Sequence, residues 1–236
     1  HCDVEELKYL LKQVDRSVRK LIVTDGVFSM DGDIAPLDKL YELSREYNAL
    51  IMVDDAHATG TIGNGHGTAA YFGLEKEIDI QLGTLSKSLG SVGGYVAANS
   101  TIVDYLVNTS RSFIFSTALS PADIGAALAA LQIIDSDASV LERLQDNVGY
   151  MSERLNAMGI YATSDTPIFP ILIGKNEDTL AVSNYLYEAG IIGTAIRPPT
   201  VPVGESRIRL TVTAAHSKAQ IDYVCDTLQK AIKELS

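Results

Sequence analysis

From Lys20 to His57 the chain runs KLIVTDG, then PLDKLYELSREYN, then ALIMVDDAH: an apolar run closed by a turn, an amphipathic segment opened by Pro36, and a second apolar run. This is the order strand, helix, strand. IDIQLGT and GGYVAAN add two further short strand candidates. Apolar runs that alternate with helical segments predict an α/β layer built on a largely parallel sheet. In such sheets ligands sit at the carboxyl ends of the strands. Those ends carry Thr24 and Asp25, then Asp54, Asp55 and His57, then Thr84, Ser86 and Lys87. Acid, imidazole, hydroxyl and amine groups therefore fall along one edge.

Ahead of this layer, DVEELKYLLKQV places Val4, Leu7, Leu10, Leu11 and Val14 at helical spacing. After it, the pattern turns helical from SPADIGAALAALQIID through LERLQDNVGYMSERLNAMG. PIFPILIG, GTAIRPPTVP and SRIRLTVTAA read as strands, and SKAQIDYVCDTLQKAIKEL as a closing amphipathic helix. The division expected is a large domain over residues 1–134 and a smaller α+β domain over residues 135–236.

Charge and composition exclude several function classes. Lys plus Arg number 19 against 30 Asp plus Glu, a net charge of −11, so phosphate backbones and anionic lipid surfaces are repelled. Neither nucleic acid nor membrane is an expected partner. No apolar run reaches the roughly 18 residues that span a bilayer. Cys2 and Cys225 lack metal-type spacing and read as reduced thiols, so a cytoplasmic location is expected.

Each candidate site has a plainer reading beside it. VDDAH holds two carboxylates and an imidazole, which can ligate a divalent ion, but strand-end acids more often cap the next helix, and no metal site is read here. GNGHG, residues 63–67, lacks the Lys-Ser/Thr of a phosphate loop and has no convincing helix directly after it; it reads as a turn. Ser29, Asp54 and His57 are the residue types of a hydrolase triad, yet GVFSMDG lacks the G-x-S-x-G elbow. Lys87 lies among small residues in GTLSKSLG. A lysine walled by small residues and closed in by a bulky cofactor sheds its proton and becomes a nucleophile; a solvated lysine in a Gly/Ser loop fits the same window equally well.

Five segments in order, TDGVFSMDGDIAPL, VDDAHATGTIG, GTLSKSLGSVGGY, RSFIFSTALSP and AIRPPTVPVGESRIRLTVTAAH, resemble the α-oxoamine synthases. These are pyridoxal 5'-phosphate (PLP) enzymes of the aspartate-aminotransferase fold. The resemblance implies PLP fold type I, with a three-layer αβα large domain followed by a smaller α+β domain. AIRPPTVP followed by RLTVTAAH is most similar to the branch that makes 8-amino-7-oxononanoate for biotin.

Carried over by position, the resemblance implies that Lys87 binds PLP covalently and that Asp54 faces the pyridine nitrogen, keeping the ring protonated. His57 would hydrogen-bond the ring's phenolic oxygen, Ser29 would contact the cofactor and Thr84 its phosphate. Arg197 would clamp the amino acid's carboxylate through both oxygens, and Thr200 would contact substrate. Ser116 and Thr117 match a segment that reaches the cofactor phosphate of a neighbouring subunit, which implies a homodimer with shared active sites. The implied reaction joins L-alanine to pimeloyl-CoA, or its acyl-carrier-protein equivalent, with loss of carbon dioxide.

Complete family members carry a substantial segment before the point that matches His1, including the small N-terminal domain and early strands of the large domain. On that comparison the chain reads as the C-terminal part of a longer enzyme. Two alternatives stand beside the principal reading. One is the branch that condenses glycine with acetyl-CoA; the other is a non-catalytic partner subunit of the same fold, which would have no chemical reason to keep Lys87, Asp54, His57 and Arg197 together.

Overall fold

The computed structural model describes residues 1–160, 162 and 164–235. They form two compact units: His1–Val27 with Ile34–Ala138, and Phe28–Asp33 with Ser139–Ser236.

In the first unit, a four-stranded sheet runs in the order β1 (Lys20–Asp25), β2 (Ala49–Asp54), β3 (Ile80–Thr84), β4 (Gly94–Ala98). The first three strands are parallel and β4 is antiparallel to β3. Side chains alternate between faces along each strand. Ile22, Ala49, Ile51 and Val53 are buried on one face, where helix α2 (Leu37–Glu46) contributes Leu37, Leu40 and Leu43. Leu21, Val23 and Leu50 lie on the other face, each 45% exposed or more.

Helix α1 (Val4–Gln13) has the expected bounds, with Asp3 accepting from the Glu6 N–H as its N-cap, but of its apolar stripe only Leu11 is buried. The segment after Gly67 differs from expectation. A short helix, α3 (Thr68–Tyr71), follows the GNGHG turn directly. It escapes sequence reading because its N-terminus is capped by a residue thirteen positions earlier: the Asp55 carboxylate accepts the Thr68 N–H at 2.9 Å. Helix α4 (Ser100–Thr109), capped by Asn99, was likewise not visible in its β-branched sequence. After the short helix α5 (Arg111–Ile114), α6 (Pro121–Ser136) begins with Ser120 as N-cap and proline in its first turn.

The second unit contains most of α7 (Ala138–Ala157) and an antiparallel three-stranded sheet in the order β5 (Ile168–Gly174), β7 (Ser206–Thr211), β6 (Thr194–Ile196). Its core joins Phe169, Ile171, Ile208 and Leu210 of the sheet to Met151 and Leu155 of α7. Val182 and Leu186 of α8 (Asn176–Glu188) and Cys225 and Leu228 of α9 (Lys218–Leu235) complete it. Each of these apolar side chains gives about 1.5–3 kcal/mol on full burial. Among the described residues no single helix is long and apolar enough to cross a membrane.

Candidate active site

The register of the first sheet lines up its strand ends. Asp25, the last residue of β1, pairs with Asp54, the last of β2, and Asp54 pairs in turn with Leu82 of β3. Register partners on parallel strands point to the same face, about 4.8 Å apart. Asp25, Asp54 and, two residues beyond Leu82, Thr84 therefore share one face at the carboxyl end of the sheet. Asp54 and Asp55, adjacent in sequence, point to opposite faces.

That separation divides their work. Asp55 is 4% exposed and is a structural carboxylate. Its backbone N–H donates to the Leu82 carbonyl at 2.7 Å, its carbonyl accepts from Ala58 and Thr59, and its side chain caps α3. A Cβ on Gly26 would lie 2.1 Å from the Asp55 Oδ1, and one on Gly67 2.2 Å from its Oδ2, so the carboxylate fits only because both neighbours are glycine. Burial pushes the Asp55 carboxyl above the usual carboxylate range, hydrogen bonding from Thr68 pulls it back, and the Asp54 charge adds to the rise.

Asp54 is half-buried, and its Oδ1 accepts the Ala56 N–H at 2.9 Å. His57 is half-buried in the turn that follows, where its carbonyl accepts from the Thr61 hydroxyl at 3.0 Å. Thr84 closes β3. Its hydroxyl donates to the Gly93 carbonyl at 3.1 Å, lies 2.8 Å from the Ser86 hydroxyl and accepts the Ser86 N–H at 3.3 Å.

Lys87 sits at the tip of the loop between β3 and β4, exposed, on a backbone that is fixed on both sides. The Leu85 N–H donates to Gly93 at 2.9 Å, the Ser91 N–H to Leu85 at 2.8 Å, and the Gly90 N–H to the Lys87 carbonyl at 3.0 Å. On the far side of Lys87 the Ser88 hydroxyl donates to the Thr59 carbonyl at 2.6 Å. A small residue at position 60 permits this contact, since a Cβ on Gly60 would lie 2.6 Å from that of Ser88.

Asp25 is one of the groups that sequence reading placed on this edge without giving it a role. Burial raises its carboxyl above the usual range, the Asp54 charge raises it further, and Lys87 lowers it. The strand-end acid was legible; its register with Asp54 is a property of the sheet.

Ser116 and Thr117 belong to the first unit and are exposed, with the Ser116 hydroxyl bonded to the Ser112 carbonyl. Ser29, Arg197 and Thr200 belong to the second. Ser29 lies in the Phe28–Asp33 segment, which Arg209 holds by donating to the Ser29 carbonyl at 3.0 Å and Arg207 by an ion pair with Asp31. The Thr166 hydroxyl donates to the Gly32 carbonyl at 2.7 Å. Arg197 and Thr200 are exposed in the turn after β6, closed by the Thr200 N–H on the Arg197 carbonyl at 3.0 Å, and the Pro198–Pro199 peptide within it is cis.

A family model for aminotransferases of class I and II matches residues 1–228. The 8-amino-7-oxononanoate synthase of Lysinibacillus sphaericus is 48% identical over 237 residues, a match that takes in all of this chain and 61% of that protein. A serine palmitoyltransferase structure carrying PLP as an internal aldimine matches all of this chain and 60% of its own, with a TM-score of 0.95 at 33% identity. The 8-amino-7-oxononanoate synthase structure from Francisella tularensis matches 98% of this chain and 67% of its own, with a TM-score of 0.82 at 28% identity. The chain thus spans about three fifths of the length of the curated relatives it matches. The fold and the family expected from the five ordered segments are both borne out.

Proposed function

The chain belongs to the aminotransferase class I and II family, within it to the α-oxoamine synthases, and on that premise we propose that it carries the PLP-binding part of a cytoplasmic enzyme that makes 8-amino-7-oxononanoate from L-alanine and a pimeloyl thioester. The observation that supports this most is the donor set along one sheet edge: the Lys87 amine, the Asp54 carboxylate and the paired Thr84 and Ser86 hydroxyls. An amine suits an aldehyde, a carboxylate suits a pyridinium nitrogen, and neutral hydroxyls suit a phosphate. These residues fit PLP.

Lys87 is the residue that would hold the cofactor covalently, Asp54 would face its ring nitrogen, His57 would hydrogen-bond its phenolic oxygen, Ser29 would contact the cofactor, and Thr84 would bind its phosphate. When bound, PLP supplies an electron sink that stabilises negative charge at the Cα of an amino acid. Lys87 is also the residue that would accept the Cα proton of the amino acid. Its exposed position on a pinned loop suits both tasks, because the backbone is fixed while the amine can move. Arg197 would hold the alanine carboxylate through paired N–H donors, and Thr200 would contact substrate beside it. A carbon–carbon bond then forms between Cα and the thioester carbonyl, CoA or the carrier protein leaves as the thiol, and the alanine carboxylate departs as carbon dioxide.

The active unit is a homodimer with shared sites. Support comes from the segment of Ser116 and Thr117, where every residue from 111 to 120 is exposed, with Phe113 at 64% and Phe115 at 76%. Exposed apolar side chains grouped in this way mark an interaction surface, and a second copy of the chain is the cover that the dimer reading gives it.

Product analysis tests the reading. Alanine plus pimeloyl-CoA, or the carrier-protein thioester, is expected to give 8-amino-7-oxononanoate. Product from glycine plus acetyl-CoA in its place would assign the chain to the other branch, and no product from either pair, with the cofactor bound, would favour a partner subunit.

A further inference from the structure

One short hydrogen bond joins the loop that carries Lys87 to the turn that carries His57. Ser88 directly follows Lys87, and its hydroxyl donates at 2.6 Å to the carbonyl of Thr59, two residues after His57. The acceptor is fixed from three directions. Thr59 is 6% exposed, its N–H donates to the Asp55 carbonyl at 2.9 Å, and its hydroxyl lies 3.1 Å from that of Tyr95. Tyr95 reaches it across β3 at Gly83, where a Cβ would lie 2.5 Å from the tyrosine ring. The turn is held on the His57 side too: the His57 carbonyl accepts from the Thr61 hydroxyl, and the Ala58 N–H donates to Asp55 at 3.0 Å. On the lysine side, Leu89 is 3% exposed and anchors the loop by burial. Burial has no direction, so it holds the loop down without aligning it. The Ser88 hydrogen bond is directional, and it sets where the loop stands against the turn.

Resting on the functional reading above, we propose that Ser88 is a positioning residue that, through the Thr59 carbonyl, keeps the backbone of Lys87 in step with that of His57. PLP carries its aldehyde and its phenolic oxygen on adjacent ring carbons, so the amine that takes one and the imidazole that bonds the other must be aligned together. A tie from the residue next to Lys87 to the turn of His57 aligns both at once. It acts on the backbone and leaves the lysine side chain able to move. Locking the segments that bear two ligand groups by a hydrogen bond outside the site is how a constellation is held to a fraction of an ångström.

Two measurements on the protein as its gene encodes it test this. The first needs no cofactor: hydrogen exchange of the Gly90 and Ser91 amides, which donate to the Lys87 and Leu85 carbonyls, is compared in wild type and Ser88→Ala. Exchange there is expected to quicken about 2–10-fold, with the amides of α2 unchanged as proof of an intact fold. Unaltered exchange in the loop overturns the proposal. The second is a PLP titration, followed by absorbance, of wild type, Ser88→Ala, His57→Gln and the double variant. Ser88→Ala is expected to weaken PLP binding about 2–10-fold when His57 is present and less than about 2-fold when it is glutamine, because the partner it aligns is gone. The absorption band of bound PLP should move in Ser88→Ala in the same direction as in His57→Gln. Additive losses with an unmoved band are what a loosened loop alone would give, and they overturn the proposal while the functional reading stands. A folded wild type that binds no PLP overturns the functional reading and the proposal with it.

Discussion

The Asp55 carboxylate accepts the backbone N–H of Thr68 at 2.9 Å, across thirteen residues of chain, and so ties the end of β2 to the start of α3. Removing the acceptor in Asp55→Ala leaves a buried N–H unpaired and should cost about 1–3 kcal/mol in urea unfolding. Asp55→Asn keeps a carbonyl acceptor and removes the charge. Because burial raises the wild-type carboxyl, the folded state holds its proton more tightly than the unfolded chain. Wild-type stability therefore falls as pH rises from the usual carboxylate range through the raised value, and Asp55→Asn should lose that fall. A wild-type slope retained in the Asn variant would contradict this role.

Arg207 is 8% exposed in its side chain, between Asp31 and Glu205, and anchors the segment that bears Ser29. Its partners are about half-exposed, so Arg207→Ala strands no buried charge, and the expected loss is about 1.5–3 kcal/mol for its charged hydrogen bonds. Cleavage within residues 28–33 should rise in limited proteolysis. Gly32→Ala should act alike, since Gly32 has φ +72° and a Cβ there would lie 2.5 Å from the Ile168 carbonyl oxygen. Unchanged cleavage in both variants would show that the segment is held by something else.

Burial pushes the Cys225 thiol up to about 11, with Arg154 opposing the rise. Cys2 is exposed. Alkylation of the folded protein at pH 8 should modify Cys2 and spare Cys225 until denaturant is added. The thiol also sets a pH window: stability is full below its unfolded value of 9.0 and is lost as pH rises toward 11, because the unfolded thiol ionises first. Equal labelling of both cysteines in the folded state would contradict the packing.

Arg197→Lys and Arg197→Ala separate shape from charge at the proposed carboxylate clamp. Loss of a charge-assisted pair worth about 1.5–3 kcal/mol corresponds to roughly 10–150-fold in KM for alanine, with Lys87 still labelled by PLP. Lysine should recover only part of the loss because it lacks the planar fork. An unchanged KM in Arg197→Ala would move the clamp to another residue.

Much of the fold was legible because its strands carry local signals. KLIVTD and ALIMVD are apolar runs that end at turns, and β1 and β2 stop at Asp25 and Asp54. What sequence missed has tertiary causes. Helix α8 buries only Thr179, Val182 and Leu186 along a mixed stretch, and α3 depends on the distant Asp55. The site was half legible. Strand-end acids, a hydroxyl and a lysine could be placed on one edge, but their roles came from the family resemblance. Period-two alternation was the signal that separates Asp54 from Asp55. No local signal sets Asp25 against Asp54, because parallel register is fixed by the packing of the whole layer.

The central claim is that Lys87 is the residue that takes the cofactor. Incubation with PLP, reduction with borohydride, digestion and mass spectrometry should find a phosphopyridoxyl group on the peptide containing Lys87, and Lys87→Ala should abolish it. A folded protein that acquires the label on its other lysines and not on Lys87 would contradict the account.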